Sequence, residues 1–103
     1  MYGQGPYLAA KHTVIGLTRS AAPEYGGRGV RINAGCPGTT RTPAVDRWFR
    51  EMPEQAREVE SRIPLNWIGS AEDQARAALW RCGGRSARVT GMVLPVDGGG
   101  LLT

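Results

Sequence analysis

Two side chains near the N-terminus have the types and the spacing of an acid/base pair. Tyr7 precedes Lys11 by four residues, and on a helix this spacing places both side chains on one face, with Cβ atoms about 5–6 Å apart. An ammonium group at that distance favours the phenolate, which suits a phenol for general acid/base chemistry. Lys11 is also the single lysine of a chain that has 12 arginines. The spacing alone remains compatible with a surface lysine that covers a tyrosine.

Two later segments make the Tyr-x-x-x-Lys pattern specific. They read NAGCPGTTRTP over residues 33–43 and VTGMVLPVDGG over residues 89–99. In this order the three motifs resemble the C-terminal half of the short-chain dehydrogenase/reductase family, and the resemblance spans residues 5 to 100. It implies an oxidoreductase that transfers hydride between an alcohol and a ketone, with NAD or NADP as its cofactor. The residue that chooses between NAD and NADP is not expected within this sequence.

The resemblance implies the catalytic roles of the first pair. Tyr7 is expected to donate or accept the proton at the substrate carbonyl or alcohol. Lys11 is expected to hold the hydroxyls of the nicotinamide ribose and to assist Tyr7. Both residues therefore count as catalytic and as cofactor-binding.

Four residues after the first strand complete the expected cofactor site. The resemblance implies that Pro37 and Gly38 pass beneath the nicotinamide, with the Thr40 backbone at its carboxamide. Thr42 is expected near the carboxamide or the phosphates. A glycine lets the backbone approach a flat ring closely, and open α/β sheets bind ligands beyond the carboxyl ends of their strands. Ordinary turn chemistry is the alternative for both threonines.

The helices and strands that position these residues are predicted from the periodicity of apolar residues and from the positions of glycine and proline. Leucine, isoleucine and alanine at seven-residue spacing predict an amphipathic helix over residues 7–25, ended by glycines. A β-branched run predicts a strand over 30–36. The polar, proline-rich residues 39–64 predict a flap with short helices, and the resemblance implies that this flap is the cofactor and substrate loop. A capping-box pattern and alanine-rich sequence predict a helix over 70–82, and a β-rich run predicts a strand over 92–96.

The order helix, strand, flap, helix, strand predicts an α/β fold with two parallel strands joined by a crossover. Parallel sheets normally contain several strands and have helices on both faces. We therefore expect residues 1–103 to be a partial domain, the C-terminal part of a Rossmann-like doubly wound parallel sheet, from which the N-terminal nucleotide-binding half is absent.

Three residues depart from the pattern of the family. Pro23 falls inside the expected first helix, where it removes a backbone hydrogen bond. Gly35 replaces an apolar strand residue. Arg81 begins a segment, residues 81–84, that replaces the apolar helix end and acidic turn of the family. A buried Arg81 side chain would need a polar partner or would extend to solvent.

Composition and charge exclude several classes of protein. The formal net charge is +4, but the arginines are scattered and interleaved with acidic residues, which does not predict nucleic-acid binding. No apolar run approaches the ~20 residues of a membrane span, and the N-terminus lacks the layout of a secretory signal, so we expect a cytoplasmic protein. Cys36 and Cys82 with a single His12 give no metal-site spacing. The resemblance implies that the partner is a small alcohol or carbonyl substrate and that a full-length form is a homo-oligomer, a dimer or tetramer.

The expected function is therefore that of an NAD(P)-dependent oxidoreductase that is inactive as this isolated chain. A non-catalytic truncated remnant, or a fragment that associates through its helix and its uncovered strand, is the alternative. A weak basic binding module is a third interpretation, since the chain has a net positive charge.

Overall fold

The computed structural model describes residues 5–100, and their helices and strands alternate as expected for an α/β protein. The helices are α1, α2, α3 and α4, and the strands are β1 to β4. A single 3₁₀ turn, Gly84–Ser86, follows the last helix. The bounds in chain order are α1 Gly5–Gly26, β1 Ala34–Pro37, β2 Thr40–Arg41, α2 Pro43–Glu51, α3 Pro53–Ser61, β3 Gly69–Ser70, α4 Ala71–Cys82 and β4 Val93–Val96.

The central pair of strands confirms the expected parallel crossover. Strand β1 pairs with β4 in parallel, from Ala34 opposite Val93 to Pro37 opposite Val96. The chain between them contributes α2, α3 and α4 and a second, very short parallel pair of β2 and β3, with Thr40 opposite Gly69. Two-residue strands have no sequence signal of their own, so this second pair could not be predicted from the sequence.

Strand β1 begins four residues later than the 30–36 predicted from the sequence. Before Ala34 the regular backbone ladder stops. The Gly91 amide still donates to the Ile32 carbonyl at 2.7 Å, but the Ile32 amide donates to Thr90 Oγ1 and the Met92 amide to Asn33 Oδ1, each at 3.0 Å. Gly91 has a φ of 73°, so the partner segment turns out of the extended conformation there. The β-branched pattern of residues 30–33 gives extended chain without regular pairing.

Helix α1 buries much less of its surface than the predicted amphipathic pattern requires. Every residue from 5 to 14 is exposed, and the buried residues of the helix are Thr18 and Ala22. Twenty-two residues span about 33 Å of helix, whereas a strand of four residues spans about 13 Å. Leu8, near the far end of α1 from Ala22, therefore lies beyond the part of the layer that could cover it, and Val14 is exposed as well. Pro23 lies inside the helix without ending it.

The remaining elements are fixed by local chemistry and by a small core. Ser70 and Asp73 form a reciprocal capping box at the start of α4, which is the helix start that the sequence predicted. Proline occupies the first turn of both α2 and α3, where its missing N–H costs nothing. The buried apolar side chains are Ala22, Ala34, Ile63 and Ile68.

Candidate functional site at the carboxyl ends of the strands

Tyr7 and Lys11 face each other on the exposed half of α1. Lys11 Nζ lies 5.4 Å from the centroid of the Tyr7 ring, and 58% of Tyr7 is accessible to solvent. Among residues 5–100, Lys11 has no ion pair and no hydrogen bond besides this ring contact. The spacing of four thus brings phenol and ammonium together, as the sequence predicted, and both groups are accessible.

The end of β1 is shaped by a close backbone approach at Gly38. Pro37 is the last residue of β1 and pairs with Val96, and the Gly38 amide donates to the Val96 carbonyl at 3.1 Å. A Cβ atom on Gly38 would lie 2.6 Å from Asp97 Cβ and 2.9 Å from Asp97 Cα. Only glycine fits here without a shift of the backbone, so the requirement for glycine comes from packing between the two strand ends.

The hydroxyl groups of the two threonines are engaged within the chain. Thr40 Oγ1 donates to the Gly38 carbonyl at 2.9 Å. Thr42 is the N-cap of α2, and its Oγ1 accepts from the Val45 amide at 3.2 Å. Ordinary turn and cap chemistry therefore accounts for both hydroxyls. The cofactor roles expected for the Thr40 backbone and for Thr42 remain predictions.

Gln74 of α4 joins the strand ends and was not singled out from the sequence. Its Nε2 donates to the Val96 carbonyl at 2.8 Å and lies 3.5 Å from Thr40 Oγ1. A glutamine inside a helix carries no special signal, so only the fold reveals this contact. Gln74 thus links α4 to the end of β4 and to the start of β2.

The turn after β4 borders an open cavity beside these residues. Gly98 and Gly99 have φ of 63° and 90°, and Asp97 Oδ1 accepts from the Gly99 amide at 2.9 Å. The cavity has a volume of about 490 Å³, and Leu65, Trp67 and Gln74 also line it. Residues 97–99 thus form a tight turn that packs on Ile63, Pro64 and Leu65, with the Leu65 amide donating to the Gly98 carbonyl at 3.1 Å.

The structure groups the six expected site residues into two sets. Tyr7 and Lys11 form one set on α1. The other set consists of Pro37, the last residue of β1, and of Gly38, Thr40 and Thr42 after it, and within this set Thr40 Oγ1 donates to the Gly38 carbonyl. Within residues 5–100, no hydrogen bond or ion pair connects the first set to the second.

A metal site and a membrane-spanning helix are both absent from residues 5–100. Between residues 5 and 100, no group of three or more histidine, cysteine or acidic side chains is arranged to hold a metal ion. The helices in this range include none that is both long and apolar enough to cross a membrane. Cys36 and Cys82 are free thiols.

Comparison with known proteins gives a consistent result. Residues 1–100 match a family model described as enoyl-(acyl carrier protein) reductase. The chain is 43% identical over 94 residues to an A-factor type gamma-butyrolactone 1'-reductase from Streptomyces virginiae, covering 91% of this chain and 37% of that protein. The chain therefore spans little more than a third of the length of this relative.

Solved structures agree with the sequence relatives. An oxidoreductase of the short-chain dehydrogenase/reductase family from Burkholderia thailandensis superposes with a TM-score of 0.86 at 39% identity, over 96% of this chain and 39% of that one. A structure of ElxO with NADP bound superposes with a TM-score of 0.84 at 32% identity, over 92% of this chain and 38% of that one. Both similarities cover nearly all of the present chain.

Proposed function

The chain belongs to the short-chain dehydrogenase/reductase family, and from this we propose that it is part of an NAD(P)-dependent oxidoreductase that interconverts an alcohol and a carbonyl compound. The bound NADP in the structure of ElxO supports this choice of cofactor. The observation that carries the proposal is the pair on α1, where an exposed ammonium lies 5.4 Å from the ring of an exposed phenol.

The positions of α1 and β4 along the strand direction support a single site that includes both sets of residues. Helix α1 reverses into β1 through a tight turn in which the Gly29 amide donates to the Gly26 carbonyl, so the two elements run in opposite directions. Ala22 Cβ lies 3.4 Å from the position that a Cβ on Gly91 would take. Strand β4 spans about 13 Å from Val93 to Val96, and from Ala22, beside Gly91, back to Lys11 the helix rises about 16 Å. Lys11 is then level with the strand ends.

The residues present fit the nicotinamide end of the cofactor. Because the Lys11 ammonium has no other polar partner among the described residues, its donors are free to hold the two hydroxyls of a ribose. The backbone at Gly38 and Thr40 would line the nicotinamide ring. When bound, the cofactor supplies or accepts the hydride.

In this proposal Tyr7 moves the proton that accompanies hydride transfer. Its phenolic oxygen donates a proton to the substrate oxygen during reduction and takes it back during oxidation. Lys11 positions the ribose and adds a positive charge beside the phenol. The chain alone is proposed to be inactive, and a cytoplasmic location and a small alcohol or carbonyl substrate complete the proposal.

A titration with dihydronicotinamide riboside tests the site directly, because this neutral probe lacks phosphates and the adenosine half. We expect shifts of the amide NMR signals of Lys11, Gly38 and Thr40 at millimolar probe. Lys11→Gln should weaken these shifts at least fivefold, while Arg19→Gln, which removes one exposed charge from the same helix, should leave them unchanged. NADPH at ~100 μM should show no fluorescence enhancement with the isolated chain.

Two results would count against this site. One is a set of shifts confined to other surfaces of the chain. The other is an equal effect of Lys11→Gln and Arg19→Gln, because the probe would then respond to charge in general and not to the Tyr7–Lys11 pair.

Self-association is a second candidate function, favoured by the exposed apolar side chains of α1. Leu8, Val14 and Leu17 are all more than half exposed, and β1 has a hydrogen-bonded neighbour on one edge within residues 5–100. We propose that α1 associates with a second copy of the chain.

A further inference from the structure

The net charge of the chain is concentrated at the amino ends of β1 and β4. Five arginines lie in the segments that lead into these strands, residues 27–33 and 81–91, which contain no acidic residue. The nearest acidic residue along the chain is Glu24, near the end of α1. This end thus has five of the 13 basic and one of the nine acidic side chains, which equals the whole formal net charge of +4. The arginine cluster consists of Arg28, Arg31, Arg81, Arg85 and Arg88.

The local structure does not neutralise this charge. The ion pairs of the described residues involve Arg41, Arg62 and Arg76, so no member of the arginine cluster has a carboxylate partner within residues 5–100. The C-termini of α1 and α4 point to this end, and each contributes about half a negative charge. About one negative charge from two helices leaves most of the positive charge of the cluster uncompensated.

Arg31 is held rigidly by neutral oxygen atoms. Its Nη1 donates to Ser86 Oγ at 3.2 Å and to the Val89 carbonyl at 2.9 Å, and its Nη2 donates to the Gly83 carbonyl at 3.0 Å. Ser86 is 1% exposed. A guanidinium fixed in this way keeps its full charge and has already lost its conformational freedom, which lowers the entropic cost of binding an anion.

A cavity of about 500 Å³ opens beside Arg31. Its lining includes Arg31, Arg88 and four glycines, Gly26, Gly29, Gly83 and Gly84. Glycine lets a ligand approach the backbone closely, and Arg28 and Arg85 adjoin the lining residues in sequence. This volume is within the range of small-molecule sites.

We propose that this cavity binds a small polyanion that carries phosphate groups. Guanidinium groups match the geometry and the charge of phosphate oxygens, and a concave site of this size fits a compact ligand better than an extended polymer. Tyr25, which precedes the lining residue Gly26 in sequence, has Arg28 over its ring at 5.6 Å from the centroid, so it offers no open platform for a nucleic-acid base. The site lies at the opposite end of the strands from Gly38 and is independent of the proposed oxidoreductase function.

Inorganic tripolyphosphate is the probe that tests this site, with binding to the 103-residue chain measured by calorimetry and by amide NMR shifts. We expect saturable binding that weakens as salt is added, with shifts at Gly29, Gly83 and Gly84. Because the side chains of Arg85 and Arg88 are exposed and make no hydrogen bond within the described residues, the double variant Arg85→Gln/Arg88→Gln should fold normally. It should bind at least about tenfold more weakly.

The matched control removes the same amount of charge elsewhere. Arg47→Gln/Arg57→Gln lowers the net charge equally, at two exposed arginines of α2 and α3, and should change affinity less than twofold. Equal weakening by both double variants, or an absence of saturable binding, would overturn the proposal. Tighter binding of a DNA oligonucleotide or of polyglutamate than of tripolyphosphate would replace the small polyanion with a macromolecular partner and would also overturn it.

Discussion

Gly35, the second residue of β1, and Gly38, just after its last residue, meet different kinds of neighbour. A Cβ on either glycine would come within 2.6 Å of another atom. At Gly35 that atom is Nη2 of Arg81, the far end of a flexible side chain, whereas at Gly38 it is Cβ of Asp97, beside the backbone. The same distance therefore implies different losses of stability when alanine replaces each glycine.

This contrast gives a prediction at the residue scale. Gly38→Ala should lower the free energy of unfolding by about 1–3 kcal/mol, since the backbone at Asp97 must shift. Gly35→Ala should cost less than about 0.5 kcal/mol, because Arg81 can swing toward solvent. Urea denaturation of the two variants without any ligand measures both. Equal losses would show that the approach of Gly38 to Asp97 is not tight in solution.

The two glycines also show what could be predicted about single residues. Gly35 and Arg81 were each noted as departures from the family pattern, and the structure explains them together, since the guanidinium occupies the space that a side chain at residue 35 would fill. No local pattern links residues 46 positions apart. The Tyr7–Lys11 pair was predictable because both residues are on one helix, where spacing fixes geometry.

At the scale of elements, the start of α4 is specified most completely by the sequence. The Asp73 amide donates to Ser70 Oγ at 3.1 Å, and the Ser70 amide donates to Asp73 Oδ2 at 2.8 Å. Hydrogen bonds from the Ser70 backbone and then from its side chain hold the pKa of Asp73 below its ordinary value. The ionised carboxylate is thus the form that stabilises the helix.

Ser70→Ala should lower the free energy of unfolding by about 1 kcal/mol and move the pKa of Asp73 back toward its ordinary value. The contribution of Asp73 is present above its unfolded-state pKa and is lost as the pH falls through its depressed folded-state pKa. An NMR titration of the Asp73 carboxyl and thermal unfolding measure the two effects. Ser61→Ala at the end of α3 is the control and should leave the pKa of Asp73 unchanged.

The boundaries of the strands were harder to predict than those of the helices. Residues 30–33 have a strand-like pattern, but the partner segment bends at Gly91, and the Asn33 side chain accepts the hydrogen bond of the Met92 amide. A strand's limits depend on its partner, which for β1 is 59 residues away in sequence. Helix α4, by contrast, is bounded by its own capping residues.

At the scale of the whole molecule, the exposed length of α1 gives a prediction about assembly. Leu17 is 64% exposed on α1, and Leu79 is 73% exposed on α4. If α1 is the contact between copies, Leu17→Glu should weaken self-association at least tenfold because it places a charge in an apolar interface. Leu79→Glu should have no such effect. Sedimentation velocity over a range of concentrations distinguishes them, and a monomeric wild-type chain would contradict the proposal.

The overall shape reflects the difference in length between α1 and the strands. The described residues extend over 50 × 30 × 23 Å with a radius of gyration of 15.9 Å, larger than the ~13 Å of a compact domain of 100 residues. The order of elements and their parallel pairing could be predicted from periodicity and turns. How far α1 projects could not, because that depends on which surfaces are available to cover it.

The turns of α1 that carry Tyr7 and Lys11 are supported by bonds within the helix itself, such as Thr13 Oγ1 to the Ala9 carbonyl and His12 Nδ1 with the Leu8 carbonyl. A short stretch of helix with no covering surface is marginally stable in water. The meeting of phenol and ammonium is therefore tied to a local helix–coil equilibrium. Any surface that docks on these turns would raise the fraction of molecules in which the two groups are aligned, and chemistry at Tyr7 would become a readout of docking.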